Sequence, residues 1–141
     1  MFWIDGQSYP VQSAELVAEI DEESRRIALS LYVECEESET GLALNNLSTP
    51  GVQVSGLILR LSEDMRDDLN DLSASDVTVK GETHRIRSVF LRVGPPRDNR
   101  VSVELTATCY PFDASTEQAT GKERQIRLAG DVDFAVESGR I

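Results

Sequence analysis

Apolar and polar residues alternate with a period of two along most of this chain, the pattern of half-buried strands rather than helices. Phe2-Trp3-Ile4, an Asp5-Gly6 turn and Gln7 to Val11 predict a small hairpin, because Asp-Gly suits the positive φ angles of a tight hairpin turn. Ala14, Leu16, Ala18 and Ile20 line one face of the next strand. After the polar run 21–25, Ile27, Leu29, Leu31, Val33 and Cys35 line another. Residues 36–40 predict an acidic loop, 42–44 a short strand, 45–51 a turn-rich stretch and 52–61 an apolar strand with a bulge at Gly56. Val77 and Val79 open a strand that turns at Lys80-Gly81-Glu82 and returns over 83–93, where alternation is imperfect. Residues 95–99 form a loop, and Val101 to Cys109 alternate cleanly. A polar loop then covers 111–123, and a last strand runs from about 124 to 137 with Gly130 at a bend.

Only residues 63–73 depart from this period. Ser62 is placed to cap a helix, Glu63 and Asp64 suit its positive end, and Met65, Leu69 and Leu72 share a stripe. The expected fold is therefore mainly β, an antiparallel β-sandwich or barrel of about eight to nine strands with one short helix at 63–73. No linker divides the chain, so residues 1–141 are expected to form a single β-rich domain.

Composition narrows the classes of function. A 40% hydrophobic and 28% charged chain is globular, and it is long enough to fold without metal or disulfide. A net charge of −11 makes nucleic acid an unlikely partner and favours a basic protein surface or self-association. No basic segment leads into an apolar run and no apolar stretch approaches a membrane span, so a cytoplasmic location is expected. Cys35 and Cys109 are too isolated for a zinc signature and read as buried free thiols.

Charge is segregated along the chain. Residues 1–40 hold ten acids and two bases, whereas 80–100 hold six bases and two acids. Arg85 and Arg87, two apart on a strand, share a side, and arginine forks suit carboxylate or phosphate recognition. With Arg25 and Arg26 they are the candidate contacts for a small anion or a partner. The simpler expectation is that the 80–93 hairpin lies beside the acidic N-terminal strands in weak surface pairs. His84 is the one histidine and the natural acid/base candidate; just after a turn, it is expected to be solvated. Asp64, Asp68 and Asp71 on one face and Asp131, Asp133 and Glu137 on another lack the order of a calcium loop. No phosphate loop or nucleophile elbow occurs, so no catalytic, cofactor-binding or metal-binding residue is assigned and no cofactor is expected.

Asn46-Leu47-Ser48-Thr49-Pro50-Gly51 fits an Asn/Asp-x-Ser-x-x-Gly motif, and Arg26 precedes the alternating strand from Ile27 to Val33. In these residues the stretch from about 22 to 110 partly resembles PilZ domains, small β-barrels of which many bind cyclic di-GMP. The resemblance implies that arginines and the Ser-containing turn hold the nucleotide. The first arginine of that family's Arg-x-x-x-Arg motif falls on Glu22, an acid where a base is needed.

Three functions follow in order. The first is a non-enzymatic protein-interaction or inhibitor-like module. The alternative is a small-ligand-binding β-barrel, with PilZ-like cyclic-dinucleotide binding as its most specific form. The third is a hydrolase whose site no motif reveals.

Overall fold

A computed structural model describes residues 1–64 and 70–138. Its strands are β1 (Phe2–Ile4), β2 (Gln7–Tyr9), β3 (Val11–Asp21), β4 (Arg26–Cys35), β5 (Gly41–Pro50) and β6 (Ile58–Ser62). They continue as β7 (Asp76–Val79), β8 (Glu82–Val93), β9 (Arg100–Asp113), β10 (Gln118–Ala119) and β11 (Arg124–Ser138). Seven of them close a barrel in the order β9-β8-β7-β5-β4-β3-β11, and β11 returns to β9. The architecture is thus the barrel and not the sandwich. Closure pairs each of the seven with a neighbour on both sides over at least part of its length, which limits the open edge that is a sheet's usual liability; β5 meets β7 only at Gly41–Ala43.

Alternation becomes burial. Leu16 and Ala18, Ile27 to Val33, and Val101 to Ala107 send every second side chain inward, and these fill the lumen with Val77, Ile86, Leu91, Ile126 and Val132. Neighbouring strands are antiparallel except β11 and β3, which run parallel over Asp133–Ser138. The β1–β2 hairpin extends the sheet from β11, with Phe2 and Ile4 buried beneath it.

Two breaks in alternation are bulges. In β8 the register shifts between Ile86 and Ser88, so Arg87 is the extra residue and the inward set passes from His84 and Ile86 to Val89, Leu91 and Val93. That shift explains the imperfect pattern of 83–93. In β5 the register shifts opposite Ser30, where Asn46 adopts φ 51 and donates its N–H to the Ser30 hydroxyl at 3.0 Å. The bulge keeps β5 paired to residue 50, so the expected turn at 45–50 is instead strand.

Other boundaries differ from expectation. Residues 52–57 are irregular and pairing starts at Ile58. Of the expected helix 63–73, residues 65–69 lie outside the described residues. At its described ends, Ser62 closes β6, and Leu72–Ala74 form a single 3-10 turn capped by the Asp71 carboxylate. At Gly130, the expected bend, β11 continues as strand in unbroken register with β9, and the glycine adopts φ +136, a region costly to a side chain. Before it the strand pairs with β1 and after it with β3.

Candidate functional site

The four arginines singled out from the sequence do not converge on one site. Arg25 sits in the β3–β4 turn at φ 57, and its carbonyl accepts the Gly51 N–H at 2.9 Å. Arg26 begins β4, and its Nε–H donates to Ser48 Oγ at 2.8 Å. On β8, Arg85 lies 4.6 Å from the centroid of Phe112 and Arg87 lies 4.6 Å from that of Tyr110. The two do share the outer side, over neighbouring rings of β9. Their strand pairs with β6, β7 and β9 and not with the acidic N-terminal strands. Arg87 meets Glu63 at 3.2 Å and Glu123 at 3.5 Å, acids from elsewhere in the chain.

The Asn-x-Ser-x-x-Gly stretch has a structural task at each position. Asn46 supplies the left-handed residue of the bulge, which asparagine tolerates better than most side chains. Ser48 receives Arg26. Gly51 adopts φ +134 as the chain leaves β5. Asn70 reaches across: its side-chain oxygen accepts the Ser48 N–H at 2.6 Å, and its amide donates to the Ser48 carbonyl at 2.9 Å. Its amide group thereby pairs with the backbone of β5 as a further strand would, and Arg85 lines the same shallow depression as Asn70.

A second region was not visible in the sequence. Across the outer face, Arg60, Phe90, Thr106, Arg127 and Trp3 stand in direct register on β6, β8, β9, β11 and β1. Arg60 lies 5.0 Å and Arg92 5.9 Å from the Phe90 centroid, and Arg127 lies 4.8 Å from that of Trp3. Guanidinium on ring is favourable, and stacking braces a long flexible side chain. Among the described residues, Arg60, Arg92 and Arg127 have no ion-pair partner. At the other end of the β8–β9 ladder, Tyr110 donates its hydroxyl to Glu63 at 3.0 Å; burial, then this carboxylate, pushes its phenol pKa up.

The third region is acidic. On the parallel ladder, Glu15 stands opposite Asp133 and Glu19 opposite Glu137, with Val17 and Ala135 between the two pairs. Arg100 binds Asp133 at 2.7 Å, and among the described residues Glu15, Glu19 and Glu137 have no ion-pair partner. Tyr32, 43% exposed, flanks Glu15 on β4.

His84 is not solvated as expected but wholly buried. Its Nδ1 donates to the Glu82 carbonyl at 2.9 Å, since a carbonyl only accepts. Its Nε2 lacks a hydrogen-bond partner among the described residues, the Glu82 carboxylate standing at 3.5 Å. Cys35 and Cys109 are free and buried, and burial raises both thiols, Cys109 to about 12. Among the described residues no three His, Cys, Asp or Glu side chains group as metal ligands, and no helix is long and apolar enough to cross a membrane.

Compared with protein-family models, with curated proteins and with solved structures, the chain matches none.

Proposed function

We propose that this protein is a non-catalytic binding module that engages another protein through the outside of its barrel, and that the partner presents basic side chains. The acid-on-acid register of β3 and β11 carries this reading. Like charges directly opposite on neighbouring strands destabilise a sheet by a few tenths of a kcal/mol to about 1 kcal/mol per pair. Glu19 with Glu137 bears that cost without a neutralising cation among the described residues. A lysine or arginine from a partner would relieve it, so repulsion in the free protein becomes affinity in the complex. The apolar step Val17/Ala135 between the two acidic pairs and the exposed ring of Tyr32 supply desolvated contact. The net charge of −11 would hasten encounter with such a partner.

Glu15→Lys combined with Glu19→Lys tests this. Complexes captured from native extract by the unaltered protein should form at low salt, weaken as salt rises, and be missing with the double variant. Equal capture by both would remove the seam from the account, and no complex with either would end the reading.

A second reading, a small anionic ligand, is favoured by the Arg26–Ser48 contact at 2.8 Å. It joins the two elements on which the likeness to PilZ barrels rests, and Arg26 has no ion-pair partner among the described residues. Against it stand Glu22 in place of an arginine and the Asn70 amide already seated on Ser48. Cyclic di-GMP should then raise the melting temperature, and Arg26→Ala should abolish the rise. No shift with the unaltered protein would leave the first reading alone.

A further inference from the structure

Beside the registered row of Arg60, Phe90, Thr106, Arg127 and Trp3 runs a second row, two residues along each strand. Ser62, Ser88, Thr108 and Gln125 face outward there in direct register. Between the rows lies a groove of about 520 Å³, within the size range of small-molecule sites. Its lining sets it apart. Each of the four outer grooves described holds an arginine, but the others also hold Glu63 and Asp71, Glu104, or Asp131. Among the described residues, the groove between the rows is lined by Arg60 and by no carboxylate, on a chain with 25 acids.

We infer that this groove is a binding site for a small phosphate ester with a hydroxylated body, such as a sugar phosphate or mononucleotide. Arg60 stands at one side with its guanidinium over Phe90. A stacked guanidinium keeps its N–H edges free, and because it is braced it loses little freedom when it grips an oxyanion. Arg127, in the same row and braced on Trp3, adds positive potential. The hydroxyl row suits the body of such a ligand. Ser88 Oγ and Thr108 Oγ1 are 2.6 Å apart, so one proton serves their mutual bond and the other is free to donate. The Gln125 amide offers a donor and an acceptor together. Ser88, Thr108 and Gln125 stand on strands of the closed barrel, and Arg60 and Ser62 stand on β6, which pairs with β8, so the backbone of the site is ordered before binding. It is separate from the acidic seam and from Arg26, and it does not depend on either.

The test is titration of the intact, isotope-labelled protein with ribose 5-phosphate, AMP, ribose and inorganic phosphate, followed by amide chemical shifts. Both esters should move amides of the two rows with matching affinity curves, and ribose should move none. Inorganic phosphate should bind at least tenfold more weakly than the esters, because it cannot use the hydroxyl row. Arg60→Ala, with an unchanged melting temperature, should weaken the esters at least tenfold. Thr108→Val should weaken the esters and leave inorganic phosphate unaltered, and Arg26→Ala should change nothing. Esters that fail to bind, that bind no better than inorganic phosphate, that shift amides around Arg26 and Ser48 instead, or that ignore Arg60→Ala would each overturn the proposal.

Discussion

The acidic seam of β3 and β11 and the arginine–aromatic face of β6, β8, β9, β11 and β1 are built on the same closed sheet, yet they treat charge in opposite ways. On the seam, carboxylates oppose carboxylates, and among the described residues only Asp133 has an arginine within reach. On the other face every arginine over a ring is braced, and Arg87 is also neutralised by Glu63 and Glu123. One face stores repulsion that an outside cation would release. The other braces its arginines on rings, and among the described residues Arg60, Arg92 and Arg127 have no ion-pair partner, which leaves guanidinium edges for an outside anion. β11 belongs to both, and Gly130 is where it passes from one to the other.

The largest expected effect is alkaline and lies beneath the arginine–aromatic face. The Cys109 thiol is raised from 9.0 to about 12, mainly by burial, so the unfolded chain releases this proton first. Its contribution to stability is complete below pH 9 and is lost as pH climbs through about 12, each unit being worth about 1.4 kcal/mol. Denaturant midpoints measured across that window should fall more steeply for the unaltered protein than for Cys109→Ala. Parallel curves would show that the thiol is not held as described.

Next is the glycine of β11 that lies between the two faces. Gly130→Val forces a branched side chain to φ +136 and should cost about 1–3 kcal/mol in urea unfolding. It should weaken ligand binding at both faces together; loss at only one would show that β11 does not couple them. A smaller effect separates the faces. Tyr110→Phe leaves the Glu63 carboxylate without its hydroxyl donor and should cost about 1 kcal/mol. The smallest effect has the opposite sign. Glu19→Lys turns repulsion with Glu137 into attraction and should stabilise the protein by about 0.2–1 kcal/mol at low salt. The gain should fade at molar salt, where an exposed charge is felt over only about 3 Å. Destabilisation instead would mean that Glu19 has a favourable partner, and the seam would no longer contrast with the other face.

The two faces differ also in how far the residue order reveals them. Acids crowded into 1–40 announce half of the seam, but Asp133 and Glu137 join it only through a parallel pairing that no local pattern signals. The arginine–aromatic row draws one residue from each of five strands, from Trp3 to Arg127, and so leaves no trace in any window of the chain. Arg85 and Arg87 stand two apart in the sequence, whereas Arg60, Arg92 and Arg127 are brought to one face only by the pairing of their strands. The histidine misled for a related reason. A position after a turn suggests water, whereas the register of β8 against β7 and β9 points His84 inward.

By itself the sequence determined the β class, the hairpins at Asp5-Gly6 and Lys80-Gly81, the inward faces of β3, β4 and β9, and the burial of both cysteines. These follow from a period of two and from turn chemistry, which act over a few residues. The tertiary structure alone decided closure into a barrel, the bulges that carry β5 past Asn46 and reset β8 at Arg87, and the two rows across the outer face. Each depends on register between strands distant in the chain, and register is set by pairing and packing of the whole sheet rather than by any stretch of residues.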